Sequence, residues 1–389
     1  MPRRRRARAG LDRAIGHADS ARPDAAAGPE ILREAWRNLA SGTTRGLLAA
    51  AVFLVVAGGI AVVEARAVVD LAQRAVTFRA SGAAVSVVSL YGSIDGAQCD
   101  ALASAPGVAA SGALRAGPPM TLAAFPSRTF ETYEATPGLA SVLGVVSAAP
   151  GASGVWISRG VADSLGLEGG SVNLALLPGG NAPLGGVFPY PSDGRDPLLG
   201  YAIVAPIAAS GLFDACWVEA WPDAASASDV LYLPVVRNQG NAGDGPTPGA
   251  EVRQLNTTLG ARFAATSTLG TLPGWAPTSA AAFASFALGF LLVRLRRLEL
   301  AAAMHAGLSR STLVTQVLLE SAGWLLPAIS LATPGLILAS SSGNPGGAWA
   351  AYFPAARTVA LACLSVLAGT ACGVVATRER HLFRYFKAR

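Results

Sequence analysis

The chain has 389 residues, 52% hydrophobic and only 14% charged, with a mean hydropathy of +0.43. Soluble domains carry about 25% charged residues, so the deficit points to membrane segments. The net charge of +6 comes from 29 Arg and one Lys (Lys387), but residues 64–276 hold 10 basic against 16 acidic residues. The positive charge sits at Arg3, Arg4, Arg5, Arg6 and Arg8, between Arg294 and Arg310, and after Arg378. That pattern is a topology signal rather than a nucleic-acid footprint, and no nucleic-acid partner is expected.

Residues 1–29 are rich in Arg, Ala and Pro and lack an apolar face, which predicts a disordered, Arg-rich cytoplasmic arm. Ile31, Leu32, Ala35, Trp36 and Leu39 then fall on one helical face, predicting an amphipathic helix that starts near Pro29. Residues 46–63 form an uncharged run of 18, near the roughly 20 needed to cross a bilayer. A cleaved signal peptide would use Ala65-Arg66-Ala67, but 45 residues precede the run and its apolar stretch is long for a signal. Residues 30–63 are thus read as an amphipathic helix and a retained first span.

Residues 64–276 read as a folded α+β domain. Strand patterns lie at 83–91 and 129–135, a helix at 95–108, and a strand–turn–helix at 154–167 followed by a strand at 171–177. The Gly- and Pro-rich stretch 178–200 reads as a loop, and 216–221 as another strand.

Three further spans follow, at 277–293, 321–340 and 358–377, with a turn at Gly343, Asn344, Pro345, Gly346 and Gly347. The fold class expected is a multi-domain membrane protein: four transmembrane helices and an α+β extracytoplasmic domain between helices one and two. The basic arm, the loop 294–312 and the tail 378–389 fall on one side after four crossings. The positive-inside rule makes that side the cytoplasm, with both termini there and 64–276 outside.

Chemistry is sparse. His17, His305 and His381 all fall on the cytoplasmic side, so 64–276 has neither His nor Lys, which removes the usual bases for a Ser or Cys nucleophile. The four Cys show no CxxC spacing, so no metal or cofactor is expected. No GxxxxGK sequence occurs, so ATP hydrolysis in this chain is not expected and any ATPase would be a separate subunit. The spans lack ionisable residues at their centres, which disfavours an ion-coupled carrier.

The most informative stretch is 294–320, RLRRLELAAAMHAGLSRSTLVTQVLLE. It predicts a helix leaving the membrane, a Gly307 stop in the left-handed conformation, and a new helix capped by Ser309. Arg296 and Glu299, three apart, can pair on one face. A solvated loop is the plain alternative, but such a loop requires neither helix formers throughout nor Gly then Ser at this spacing.

Arg296, Arg297, Glu299 and Leu300, followed by Gly307, Ser309 and Glu320, resemble the FtsX-like permease family, the membrane subunits of type VII (macrolide-exporter-like) ABC transporters. Met304 and His305 depart from the pattern. Residues 32–48 and 154–174 are also similar to that family, as is the order of one span, an outer domain and three spans. The resemblance implies a permease subunit in a bacterial cytoplasmic membrane. It implies that a separate ABC ATPase docks on a cytoplasmic elbow at 294–320 and moves the outer domain, for export or mechanotransmission. It also implies a second copy or a homologous permease as partner within the bilayer. A membrane-anchored receptor or sensor without an ATPase is the alternative; a membrane-bound enzyme is weakened by the missing His and Lys.

Cys99 and Cys216 are the only Cys of the outer segment, so a bridge there has one possible pairing. Two buried free thiols are the other reading.

Overall fold

The computed structural model describes residues 27–41, 45–167, 172–222, 230–236, 249–263 and 275–378. The expected disordered arm lies outside the described residues up to residue 26, as does the basic tail beyond residue 378. The chain divides into two compact units: Met1–Ala72 with Thr266–Arg389, and Gln73–Ala265.

Among the described residues, four helices are long and apolar enough to cross a membrane: Gly46–Ala80, whose last turns from Gln73 belong to the second unit, and Ala276–Leu295, Arg310–Ser341 and Ala348–Val375 of the first. They are termed the first to fourth long helices. A shorter leading helix, Ala27–Ala40, precedes them. Three long helices exceed the spans read from the sequence. The first continues past residue 63 to Ala80, the third begins at Arg310 and the fourth at Ala348. Hydropathy marks where a helix is apolar, not where it stops, and the polar continuations are as helical as the cores. The first long helix also carries one π-helical turn, Leu54–Gly58.

Small residues let these helices approach closely. Ala49, Phe53, Ala57, Ala61 and Ala65 recur every fourth residue, are buried, and share a cluster with Trp324, Leu325 and Ala328 of the third helix. Between the second and fourth helices, a Cβ added at Gly289 would sit 2.3 Å from the Val366 carbonyl oxygen, and one at Gly369 would sit 2.1 Å from that of Phe286. Gly369 and Gly373 form a GxxxG pair, a spacing that permits backbone contact in bilayers. The outward surface is the reverse of a soluble protein's, with Leu47, Val55, Phe283, Leu331, Leu338 and Leu364 exposed. Such a surface is stable against lipid tails, not against water. At one end of the bundle, Thr358 donates to Glu64 (2.7 Å) and shares a 2.8 Å hydrogen bond with Thr278. Nearby in sequence, Arg66 donates to the Ser342 carbonyl (2.9 Å) that ends the third helix.

The second unit is built on a mixed sheet of strands β1 (Val85–Asp95), β2 (Val108–Ala116), β3 (Met120–Leu122), β4 (Thr129–Phe130), β5 (Thr132–Ala135), β6 (Val146–Ser147), β7 (Val155–Ser158), β8 (Asn173–Leu177), β9 (Asn181–Phe188), β10 (Ile203–Pro206), β11 (Leu212–Ala220) and β12 (Glu251–Gln254). The strand order is β12-β1-β11-β2-β5-β10-β7-β9-β8-β3-β4, with β6 paired to β9. The β5–β10 and β7–β9 pairs are parallel, and the other pairs are antiparallel. Short helices Gly96–Ala101, Leu139–Leu143 and Arg159–Ser164 cover it, the first capped by the Asp95 carboxylate. Trp217, Phe188, Leu139 and Leu199 anchor one core cluster.

One local reading fails here. Residues 178–200 are not all loop, since β9 occupies 181–188. Its glycines are close-approach residues: a Cβ at Gly185 would lie 2.6 Å from the Gly154 oxygen, and one at Gly186 would lie 2.6 Å from Val145. Gly marks tight packing inside a strand as readily as it marks a turn.

Candidate functional site

The corner between the second and third long helices is built by local rules. The second helix ends at Leu295, and Arg296 takes a non-helical conformation (φ −100°, ψ 13°). A helix Arg297–His305 follows. The sequence predicted unbroken helix through this point, whereas the structure bends the chain at Arg296. The cause is visible in the pairing: at the break, the Arg296 guanidinium reaches two carboxylates. Its Nε donates to Glu299 Oε2 at 3.0 Å and its Nη1 to Glu320 Oε2 at 2.6 Å.

The other end is closed at Gly307, whose φ of +96° is the left-handed region. Its N–H donates to the Met304 carbonyl (3.1 Å), while Leu308 N–H donates back to Ala303 (3.2 Å). That is the Schellman arrangement, which satisfies the last carbonyls of the helix. A Cβ at Gly307 would touch nothing within 4 Å, so glycine is needed for its backbone angle, not for space. Ser309 then caps the third helix, its Oγ accepting from Thr312 N–H at 3.2 Å. Leu300, Ala301 and Met304 of the short helix pack against Leu313, Val317, Val293 and Val374. The corner therefore has an apolar core of its own.

Glu320 is the hub. It is 3% exposed. Besides Arg296, its Oε1 accepts from Asn38 Nδ2 of the leading helix at 2.6 Å and from Gln316 Nε2 at 3.4 Å. A buried carboxylate needs such partners, because an unpaired charge there is costly. Burial alone would pull the Arg296 guanidinium pKa down; Glu320 and Glu299 more than offset this and raise it, so the guanidinium keeps its charge. The side chain of Glu299 is exposed, so its share of the clamp is the weaker one.

The structure thus brings together Arg296, Glu299 and Glu320, and places Gly307 and Ser309 at the corner. Arg297 opens the short helix at intermediate exposure. Sequence reasoning did not select Asn38 or Gln316. Gln316 is one turn before Glu320 and could have been read from the i, i+4 spacing. Asn38 lies 282 positions away, and no local signal connects it.

In the second unit, Cys99 and Cys216 are joined, with Cα atoms 5.8 Å apart, tying the helix Gly96–Ala101 to β11. Both are fully buried among Val88, Ile94 and Phe213. Among the described residues, no group of three or more His, Cys, Asp or Glu side chains could hold a metal ion.

Fold and corner together define a membrane protein: a bundle of apolar helices, with a sheet-rich unit inserted between the first long helix and the other three. No family profile and no curated protein matches the chain. Solved structures similar to it include the periplasmic region of MacB from Actinobacillus actinomycetemcomitans, at 7% identity and a TM-score of 0.29, covering 40% of this chain and 85% of that one. A domain of a Porphyromonas gingivalis protein assigned as a permease matches at 18% identity and TM-score 0.29, covering 46% and 95%. The extracellular domain of the noncanonic ABC-type transporter YknZ from Gram-positive bacteria matches at 12% and 0.26, covering 38% and 88%. At these scores the activities of those proteins remain theirs, and the functional reading below rests on this chain's own residues.

Proposed function

We propose that this chain is the permease subunit of an ABC-type transporter. In this reading, a separate ATPase docks on the corner formed by 294–320, and its ATP cycle moves the outer unit through the long helices. The observation that carries the reading is the construction of the corner. Gly307 and Ser309 fix a rigid turn between two helices, and Arg296, clamped between Glu299 and Glu320, ties that turn to the third long helix and, through Asn38, to the leading helix. A passive connection needs no buried ion pair. A part that receives a push does, because force applied to a loose loop is lost in bending. The basic flanks support a topology with the corner and both termini in the cytoplasm and the sheet-rich unit outside. The FtsX-like resemblance of residues 296–320 supports the same assignment, and a second copy or a related permease completes the bundle.

The test is co-purification of the full chain with an ATP-binding subunit, followed by reconstitution. Glu299→Arg and Gly307→Pro should leave expression unchanged and uncouple the partner's ATPase. If no ATP-binding subunit accompanies the chain, a receptor or sensor without an ATPase becomes the better reading.

A further inference from the structure

An open cleft of about 420 Å³ lies where the leading helix crosses the third long helix, lined by Leu32, Arg33, Ala35, Trp36, Leu39, Leu319 and Gly323. We infer that this cleft is a binding site for one anionic phospholipid, its acyl chain against Trp36 and Leu32 and its phosphate on Arg33.

Three observations carry the assignment. First, the cleft sits at a polar–apolar boundary. Leu319 and Gly323 straddle Glu320, the last charged residue before an uncharged run that ends only at Arg357. A lipid has its phosphate and the start of its acyl chains at such a boundary. Second, the apolar side of the cleft is unfilled by protein. Trp36 is 72% exposed and Leu32 61%, one helical turn apart. Leu39, by contrast, is seated against the third helix, its Cδ1 2.4 Å from where a Gly323 Cβ would be. The leading helix is therefore docked at its C-terminal end and presents its remaining apolar side chains to whatever enters. Third, the charges select the headgroup. Arg33 lines the cleft and has no carboxylate partner among the described residues, whereas Arg37, one turn on, is paired with Glu34 at 3.7 Å. A phosphate diester supplies the missing anion, and a net-negative lipid does so without bringing a competing ammonium group.

The inference concerns lipid alone and stands whether or not an ATPase partner exists. The full chain is reconstituted in nanodiscs of equimolar phosphatidylglycerol and phosphatidylethanolamine, and the lipids it retains are counted by native mass spectrometry. The expected result is one retained phosphatidylglycerol per chain. Arg33→Ala should lower its retention about fivefold, the equivalent of about 1 kcal/mol for one Arg at an anionic surface. Trp36→Ala should lower retention of both lipids by loss of apolar contact. Arg37→Ala, outside the cleft, should leave retention unchanged. The Arg-rich arm is present in every variant, so its diffuse attraction cancels. Equal losses for Arg33→Ala and Arg37→Ala would overturn the site in favour of general surface attraction. Equal retention of the two lipids by the unaltered chain would overturn the headgroup assignment.

Discussion

Removing the Arg296 side chain should damage the protein more than removing the charge of its partner. In Arg296→Ala, Glu320 stays buried with only Asn38 and Gln316 for neutral company. Breaking a buried pair in this way costs about 3–5 kcal/mol, because the remaining charge has no counter-charge. Glu320→Gln keeps the volume and one acceptor oxygen and loses charge-assisted bonds, which costs about 1.5–3 kcal/mol. In that variant Arg296 still holds Glu299, whose side chain is 62% exposed and adds little. The double variant Arg296→Met/Glu320→Leu removes both charges and takes one acceptor from the Asn38 amide and one from Gln316, whose bond is long at 3.4 Å and adds little, a cost of about 1–3 kcal/mol. The double variant should therefore be more stable than Arg296→Ala alone. Adding Arg296→Met and Glu320→Leu as single variants completes a cycle, whose coupling energy should exceed about 2 kcal/mol. Equilibrium unfolding of the full chain in mixed detergent and SDS micelles measures all of these. Additivity within about 0.5 kcal/mol would refute the argument, since distant or solvated groups behave that way.

Other outcomes follow from single features. Of the four Cys in the full chain, two should alkylate without reductant, Cys363 and Cys372, and four after reduction, because Cys99 and Cys216 are bonded. Replacing that pair by Ala should cost about 2–5 kcal/mol, as for native bridges generally, since it closes a sequence separation of 117. Gly307→Ala should cost about 1–2 kcal/mol from its backbone angle alone, without changing any packing, and unfolding of the full chain reads the difference. Hydrogen bonds from Arg195 hold the Asp193 carboxyl below its ordinary range. Its folded pKa is depressed, so its contribution is present above the unfolded value of about 3.9 and is lost as pH falls further, through the folded value. Asp193→Asn should flatten that acid limb in unfolding measured from pH 5 downward.

The parts of this protein that were readable in advance obey short-range rules. Gly307 and Ser309 declare a corner because left-handed backbone and helix caps each favour few residue types, and those choices are visible one residue at a time. The four apolar runs are visible because a bilayer imposes a length. The same logic explains what was missed. The ends of the first and fourth helices are not marked by hydropathy, so the continuation to Ala80 and the early start at Ala348 stayed hidden. The GxxxG pair Gly369 and Gly373 was legible, but its spacing gains meaning only once a second helix lies against it. In β9, Gly185 and Gly186 looked like turn residues, because the sequence cannot distinguish glycine that bends a chain from glycine that admits a neighbour.

The Glu320 cluster shows where the limit falls for function. Its members come from the leading helix, the break at Arg296 and the third long helix, so the charge balance that fixes the corner is a property of tertiary structure. A lone Glu at the edge of an apolar run reads as a boundary marker, and in water that would be sufficient. Buried at 3% exposure it must instead be neutralised, and the residues that neutralise it become parts of the same packed corner. The sequence could name the corner; only the fold could say that Asn38 belongs to it. If the corner takes up force, the leading helix takes it up too. Asn38→Leu should then weaken ATPase coupling in the reconstituted complex while Arg296, Glu299 and Gly307 remain intact. Unaltered coupling in that variant would confine the working part to residues 294–320.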